Sequence, residues 1–273
     1  MSKKIVAIGG GENGRIMEDG NYAPYETETI DKEIIRLTKK EKPNFLFLAH
    51  SQPASIEIQE SYYQTMKNIY GKKFGCNCKD LKSNELKDIE KVKEKIDWAD
   101  IIYEGGGDTF DMIKLWYDTN FDKILYNAWN NGKVICGVSA GACCWFKSCN
   151  SDSINIENGQ MQFTNVDCLN WINAYFTPHC DEPGRQNTTK NQLRENNLVG
   201  IMLSNCAALE IIDNQYRIIV SEPKCHKIKR GYGLKAYWNK NTYKEEEINI
   251  SNRFENISKL LNKEMIFEFD DER

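Results

Sequence analysis

The clearest catalytic chemistry in the chain is a serine between two glycines. The apolar run Val134–Cys136 predicts a buried strand, Gly137-Val138-Ser139-Ala140-Gly141 has the pattern G-x-S-x-G, and a helical stretch, Ala142–Phe146, follows. Glycines on both sides permit a sharp strand-to-helix turn that exposes the hydroxyl. The N–H of Ala140, at the helix start, would donate to an oxyanion. The pattern predicts an acyl-transfer nucleophile; a non-catalytic small-residue turn is the alternative.

A serine nucleophile needs a general base, and the chain has three histidines. His179 follows a predicted strand in Thr177-Pro178-His179, and acids and an arginine come next. His50 also ends a predicted strand, whereas His226 lies in a charged stretch typical of a solvated surface. His179 is therefore the favoured base, and His50 and His226 remain alternatives.

A third group must hold the imidazole in its reactive tautomer. Asp152 lies just past the predicted helix that follows Ser139 and can fold back toward it. Glu157, Asp181 and Glu182 compete for the same role. The residues alone leave these four acids open.

Two glycine-rich segments also follow predicted strands. Gly105-Gly106-Gly107 lets backbone N–H groups approach a ligand, which favours the other half of an oxyanion hole over an ordinary loop. Asp108 is a candidate for substrate binding, and Asp108 or Thr109 for capping the next helix.

The second segment, Gly9–Gly14, satisfies G-x-G-x-x-G, with Asp31 and Glu33 near the spacing of a ribose-binding acid. The helical pattern begins only near Thr29, so a flexible loop on the rim of a crevice is favoured. A non-catalytic nucleotide- or metabolite-binding module remains a rival class.

Strands and helices alternate along the chain. The predicted strands are Lys4–Ile8, Asn44–Ala49, Ile101–Tyr103 and Val134–Gly137, and the predicted helices are Ile30–Lys40, Ile56–Tyr70, Asn84–Trp98 and Phe110–Tyr117. This order predicts an α/β fold of flavodoxin-like type, with a mostly parallel sheet flanked by helices on both faces. Later strands extend the sheet in mixed or antiparallel fashion; they are Ala174–Pro178, Ala207–Ile212, Gln215–Val220 and Leu234–Trp238. Ligands of such sheets bind beyond the carboxyl ends of the strands.

Length and composition set the wider expectations. A chain of 273 residues with no linker, repeat or low-complexity tract predicts one α/β domain over 1–273, with 221–273 as an extension packed on it. The net charge of −4 gives no reason to expect nucleic acid or a membrane surface as partner. A strand-like segment begins almost at once and no apolar run is long enough to span a membrane, so we expect a cytoplasmic protein without a secretory signal.

Ten cysteines suggest disulfides or a metal at first sight. They include the C-x-C pair Cys76 and Cys78 in a loop-like stretch but no C-x-x-C pair, and histidines are scarce. Free thiols in a reducing compartment are therefore expected, with no metal site and no cofactor.

Four segments in this order resemble the aspartyl dipeptidase (peptidase E) and cyanophycinase family of serine peptidases, whose fold is similar to class I glutamine amidotransferases. They are Gly105–Thr109, Gly137–Gly141, Ser151–Ser153 and Thr177–His179, and the resemblance covers about residues 4 to 220. It implies hydrolysis of amide bonds next to aspartyl residues, in small peptides or in cyanophycin. Another amidase or an esterase on the same fold is the alternative.

The resemblance also assigns roles to residues. It implies a triad of Ser139, His179 and Asp152. It implies an oxyanion hole formed by the N–H of Gly106 or Gly107 together with that of Ala140. Arg185 is the candidate that binds a substrate aspartate, and a surface salt bridge is the alternative for it. The oligomeric state is open, and a homodimer is one option.

Overall fold

The computed structural model describes residues 1–17, 19–53, 55–153, 162–264 and 266. Its centre is an eight-stranded sheet in the order β14-β11-β10-β1-β5-β4-β2-β3. Numbered along the chain, its strands are β1 Lys4–Ile8, β2 Asn44–Leu48, β3 Asn77–Leu81, β4 Ile101–Glu104, β5 Val134–Val138, β10 Ala207–Ile212, β11 Gln215–Val220 and β14 Glu255–Asn256. Strands β1 to β5 are mutually parallel, whereas β10, β11 and β14 pair antiparallel at one side.

Helices cover both faces of this main sheet, and the strand alternation explains how. Val6 and Phe45 point to one face, where they pack with Ile30 and Met66, and Ile5 and Leu46 point to the other. The helices are α1 Glu28–Arg36, α2 Ile56–Met66, α3 Ile89–Trp98, α4 Thr109–Thr119, α5 Phe121–Asn130, α6 Ala140–Cys143, α7 Arg185–Asn196 and α8 Ile257–Leu261. The predicted α/β fold is thereby confirmed.

A second sheet of six strands, in the order β13-β12-β9-β8-β6-β7, packs into the core on the Ile5 side. Its strands are β6 Phe146–Ser151, β7 Thr164–Asp167, β8 Ile172–Thr177, β9 Gly200–Leu203, β12 Gly233–Asn239 and β13 Thr242–Glu247. The sequence predicted that all later strands extend one sheet. This was wrong for β8 and β12, because strand patterns indicate buried faces and not pairing partners. The described part of 221–273 contributes β12 and β13 to this sheet and β14 to the main one.

Local differences from the predicted elements have local causes. The predicted helix Ile56–Tyr70 continues as a π-helical segment, Lys67–Lys73, and Asn84–Trp98 divides at Asp88, whose side chain caps α3. The loop predicted around Cys76 and Cys78 contains strand β3. None of the helices in the described ranges is both long and apolar enough to cross a membrane.

The carboxyl ends of β1, β5 and β4 meet at one edge of the main sheet, since these strands are parallel neighbours. The helix after β5 is a single turn, α6, shorter than the predicted Ala142–Phe146, and β6 begins at Phe146. A Cβ at Gly141 would lie 2.2 Å from the carbonyl oxygen of Glu104. The turn at Ser139 is therefore pressed closely against the end of β4.

Candidate active site

A cavity of about 600 Å³ opens at this edge of the main sheet. This volume suits a small-molecule or short-peptide ligand. Its wall carries polar groups from several loops and from α2; these include Glu12, Arg15, Gln52, Tyr62, Gly106, Gly107, Ser139, His179, Glu182, Asn205 and His226. Four of the eight site residues predicted from the sequence thus lie on its wall: Gly106, Gly107, Ser139 and His179.

Ser139 occupies the turn between β5 and α6 with φ 55° and ψ −115°. A non-glycine residue seldom adopts this conformation, which costs free energy and is held by its surroundings. The N–H of Ser139 donates to Ile8 O at 3.0 Å, and its carbonyl accepts from the N–H groups of Ala142 and Cys143 at 2.9 Å each. The turn has the geometry of a nucleophile elbow, with the hydroxyl at the cavity.

His179 comes to the same place from the second sheet. It follows the end of β8 with φ 48°, and its N–H donates to Gly9 O at 3.1 Å. Its Nε2 lies 3.0 Å from Ser139 Oγ, within hydrogen-bond distance of the hydroxyl. The structure therefore brings together the serine and the histidine that the sequence favoured.

The other imidazole nitrogen contacts an asparagine. His179 Nδ1 lies 2.8 Å from Asn205 Oδ1, in the turn between β9 and β10. The Asn205 amide Nδ2 donates to both carboxylate oxygens of Asp181, at 3.2 and 3.1 Å, and its backbone N–H donates to Asp181 Oδ1 at 2.7 Å. Because Asp181 takes the amide hydrogens, Asn205 presents its oxygen to the histidine. The imidazole proton therefore lies on Nδ1, which leaves the Nε2 lone pair facing the serine hydroxyl.

The acids proposed from the sequence lie elsewhere. Asp152 contacts Arg185 Nη2 at 3.1 Å, so its predicted contact with His179 is wrong in this geometry; Asn205 takes that position. Asp181 acts one step further away, through the asparagine. Glu182 Oε1 is 3.7 Å from His179 Nδ1, and Glu157 lies outside the described residues.

Arg185 is buried rather than exposed to a substrate. Only 5% of its side chain is accessible, and it pairs with Asp152 and, at 3.6 Å, with Glu182. The ring of Phe163 lies 4.3 Å from its guanidinium carbon. Arg185 is not among the described residues of the cavity wall, which argues against the substrate contact predicted for it. The guanidinium instead ties the loop after His179 to the end of β6.

The glycine triplet lies beside Ser139. A Cβ at Gly106 would lie 3.3 Å from Ser139 Cβ. The Gly106 N–H donates to Tyr62 Oη at 3.2 Å, whereas those of Gly107 and Ala140 donate to no other group among the described residues. Two of the three predicted oxyanion donors are thus free.

Asp108 contributes to the helix and not to the cavity wall. Its carboxylate accepts from Asp111 N at 2.8 Å and caps α4. Of the two roles considered for Asp108, the structure supports the cap.

The segment Gly9–Gly14 does not form a dinucleotide turn. Residues 13–17 and 19–25 form a hairpin-like arrangement with bridges from Asn13 to Tyr25 and from Ile16 to Tyr22, and α1 begins only at Glu28. Asp31 is buried and accepts hydrogen bonds from Tyr25, Thr27 and Tyr70, each at 2.7 Å. The segment lines the cavity, as expected for a loop on its rim.

The two alternative histidines have other partners. His50 is fully buried, accepts from Trp116 Nε1 at 2.9 Å and contacts Leu81 O at 2.8 Å, and burial lowers its pKa to about 4. His226 lines the cavity, against the expectation of a solvated stretch, and contacts Glu26 Oε2 at 2.6 Å.

The protonation state of His179 suits a base. Burial lowers its pKa below the ordinary 6.5, and the carboxylate of Glu182 opposes part of this effect. The imidazole is therefore neutral at pH 7 and able to accept a proton.

Two residues of the site were not found in the sequence. Asn205 resembles an ordinary turn residue; its signal is the polar Ser204-Asn205 pair directly after the apolar run Ile201–Leu203. Arg15 is the one Lys or Arg among the described residues of the cavity wall. It directly follows the glycine-rich segment Gly9–Gly14, whose formal motif suggested other chemistry.

The chain is similar to known peptidases. The model of peptidase family S51 matches residues 16–219, which include Ser139, His179 and Asn205. The uncharacterized peptidase YgaJ of Bacillus subtilis (strain 168) is 30% identical over 237 residues, which are 86% of this chain and 91% of that protein.

Solved structures agree with the fold. A peptidase from an acI-B1 Actinobacterium superposes with a TM-score of 0.66 at 16% identity, over 94% of this chain and 97% of that one. A putative peptidase E from Listeria monocytogenes EGD-e has a TM-score of 0.56 at 16% identity, over 81% of this chain and 99% of that one. With the family match and the YgaJ relative, the chain belongs to peptidase family S51 and is a serine peptidase of the peptidase E type.

Proposed function

We propose that the protein hydrolyses short, acidic peptides, with Ser139 as nucleophile, His179 as general base and Asn205 as the residue that orients His179. The observation that carries the proposal is the 3.0 Å contact between Ser139 Oγ and His179 Nε2 at the wall of the cavity. A Ser-His pair within hydrogen-bond distance is the arrangement needed to activate a hydroxyl.

The reaction is acyl transfer in two steps. His179 Nε2 takes the hydroxyl proton as Ser139 Oγ attacks the scissile carbonyl, and then returns that proton to the leaving amine. Water then attacks the acyl-enzyme: His179 Nε2 takes a proton from the water and gives it to Ser139 Oγ, which leaves as the acid product is released. The Nδ1–H of His179 donates to Asn205 Oδ1 throughout, and the imidazolium is stabilised through the amide by the Asp181 carboxylate.

The oxyanion is assigned to the N–H groups of Gly107 and Ala140. Both are without another partner among the described residues; Gly107 lines the cavity together with Ser139, and Ala140 directly follows Ser139. Each such donor contributes about 3 kcal/mol to stabilisation of the transition state. Gly106 joins them only if its hydrogen bond to Tyr62 breaks.

The preference for acidic peptides is assigned to Arg15 instead of Arg185. Arg15 lies on the cavity wall with 63% of its side chain accessible. Its Nε and Nη2 contact the carboxylate of Glu12, which leaves Nη1 for a substrate carboxylate. Arg185 has its guanidinium on Asp152 and Glu182, under the surface.

Replacement of the nucleophile tests the reaction. Ser139→Ala is expected to lower dipeptide hydrolysis by at least about 1,000-fold, because Ser139 supplies the one hydroxyl that contacts His179 in the described part of the chain. Product release from a dipeptide panel and labelling by a fluorophosphonate measure this. Ser61→Ala, a serine elsewhere on the cavity wall, serves as control and should retain activity. Unchanged hydrolysis in Ser139→Ala, with the same thermal unfolding, would rule out the mechanism.

The orienting residue is tested by comparing two variants. Asn205→Ala is expected to lower kcat by about 100-fold, because Nδ1 loses its acceptor and the imidazole can adopt the wrong tautomer. Asp152→Asn should change kcat only a few-fold, since its carboxylate contacts Arg185. Thermal unfolding is measured beside kcat because Arg185 is buried. The opposite ranking of the two variants would assign the orienting role to Asp152.

The pH dependence follows from the lowered pKa of His179. Hydrolysis needs neutral His179, so kcat/KM rises as the pH increases through this pKa, and the midpoint of the acidic limb lies below 6.5. Glu182→Gln removes a negative charge that favours the imidazolium, and it should move this midpoint to still lower pH. Glu195→Gln, an exposed acid on α7, is the control. A midpoint that rises or stays fixed in Glu182→Gln contradicts the assignment.

Arg15→Gln tests the choice of substrate. We expect kcat/KM for Asp-X dipeptides to fall about tenfold relative to the matched Asn-X dipeptides, because a charge-assisted hydrogen bond contributes about 1.5–3 kcal/mol. Arg230→Gln is the control, since Arg230 is equally exposed, at 65%, and also pairs with a glutamate, Glu247. Equal losses for both substrate series, or a selective loss in Arg230→Gln, would refute the role of Arg15.

A further inference from the structure

A second cluster of chemically active side chains lies beside the cavity. Glu26, Cys206 and His226 come from three separate parts of the chain, and one ligand atom of each lies within 4.8 Å of the others. Glu26 and Cys206 are buried, whereas 25% of the His226 side chain is accessible and lines the cavity. The mechanism above uses none of the three.

Glu26 is held rigidly in the folded protein. Its Oε1 accepts from the backbone N–H groups of Lys224 and Cys225, at 2.6 and 2.8 Å, and its Oε2 accepts from that of Glu12 at 2.9 Å. Burial alone would raise the pKa of Glu26, but these hydrogen bonds and the one to His226 hold it at about 2. A buried carboxylate is thus kept charged and fixed in place, with Oε2 on the imidazole of His226.

Cys206 is also fixed by its backbone. It adopts φ 61°, donates from N to Gly10 O at 2.9 Å and accepts at its carbonyl from Ser221 N at 2.9 Å. Burial raises the pKa of its thiol to about 12, and the carboxylate of Glu26 adds to this effect. The thiol is therefore protonated and unreactive unless a cation binds next to it.

We infer that Glu26, Cys206 and His226 form a binding site for one divalent cation of borderline softness, with Zn²⁺ as the ion that best suits one oxygen, one sulfur and one nitrogen donor. The carboxylate and the thiolate balance the two positive charges, so the occupied site is neutral overall. This matters because two of its ligands are buried.

Binding displaces protons in a balanced way. Cys206 releases its thiol proton, and the proton between His226 Nδ1 and Glu26 Oε2 moves to the other imidazole nitrogen or to solvent. Ligand atoms around tetrahedral Zn²⁺ are about 3.3–3.6 Å apart, as follows from bond lengths of about 2.0–2.3 Å. The 2.6 Å contact between His226 Nδ1 and Glu26 Oε2 must therefore widen when the ion binds. Any ligand-atom separation between this range and the 4.8 Å limit of the cluster must shorten. His226 can make this adjustment because it belongs to the irregular segment 221–232 and is partly exposed.

The fourth coordination position faces the cavity, because His226 is on its wall. Solvent can fill it from there. The site is also next to the catalytic pair. Cys206 directly follows Asn205, and Asn205 Oδ1 lies 2.8 Å from His179 Nδ1. The sequence offered no spacing pattern for it, because the ligands lie at positions 26, 206 and 226.

Titration with Co²⁺, a spectroscopic substitute for Zn²⁺, tests the site without any assay of hydrolysis. The reduced full-length protein should bind one Co²⁺ per chain, with a thiolate-to-metal absorption band that one equivalent of Zn²⁺ abolishes. Cys206→Ser should lose the band. His226→Gln, at a partly exposed position, should weaken Co²⁺ binding by at least about tenfold, with thermal unfolding measured beside it.

Cys78→Ser is the matched control, because Cys78, on β3, belongs to the C-x-C pair, a rival source of thiolate ligands away from the site. It should leave the band unchanged. The inference is overturned if the natural protein shows no band, if the band survives in folded Cys206→Ser or at full affinity in His226→Gln, or if it disappears in Cys78→Ser. Since the readout is absorbance, failure here is separate from failure of the proposed hydrolysis.

Discussion

The site depends on how closely the end of β1 approaches two other segments. Ile8 O accepts from Ser139 N, and the next carbonyl, Gly9 O, accepts from His179 N. Side chains are excluded at this point, since a Cβ at Gly9 would lie 2.4 Å from Ser204 O and one at Gly10 only 2.3 Å from His179 Nδ1. One short backbone segment thus joins Ser139, after a strand of the main sheet, to His179, after a strand of the second sheet. Gly9 and Gly10 are therefore needed so that the backbone can approach Ser204 and His179 closely, and not to bind the phosphate of a nucleotide.

These two hydrogen bonds also explain why strained conformations persist. Ser139 and His179 both have positive φ, at 55° and 48°, although neither is glycine. Such conformations cost about 1–3 kcal/mol each and survive only where the surroundings determine them. Here the N–H of Ser139 donates to Ile8 O, and that of His179 donates to the next carbonyl, Gly9 O. The buried strand β1 therefore fixes both strained conformations. The Ser139 hydroxyl and the His179 imidazole are thus positioned in advance, so that little conformational entropy is lost when they react.

The polar chain behind His179 replaces a direct carboxylate with an amide. A carboxylate in contact with Nδ1 would favour the imidazolium, whereas Asn205 accepts the same hydrogen bond without a full charge. Burial can then lower the pKa of His179 and keep the base neutral. Asp181 fixes the amide orientation, and Glu182, whose charge is shared with Arg185, moderates the effect of burial. The orientation of the His179 imidazole thus depends on Asn205 and Asp181, whereas its charge depends on burial and on Glu182.

The sequence predicted the parts of the site that local chain pattern determines. The parallel strands, the turn at Ser139 and the position of His179 after a strand follow from apolar runs, glycines and a proline over a few residues. The second sheet did not follow, because β8 and β12 have the same strand pattern whichever sheet they join.

The contact of Asn205 with His179 was not predicted from the sequence for a related reason. Its role needs Asp181 on its amide and Gly10 without a side chain, and these lie far apart in the chain. Asp152 looked suitable by distance in sequence, yet the buried cation Arg185 is its nearer partner. A buried guanidinium requires a compensating carboxylate more strongly than a neutral imidazole does, because an unpaired buried charge is far more costly than an unpaired dipole. The Asp152 carboxylate therefore pairs with Arg185, and His179 Nδ1 contacts the amide of Asn205 instead.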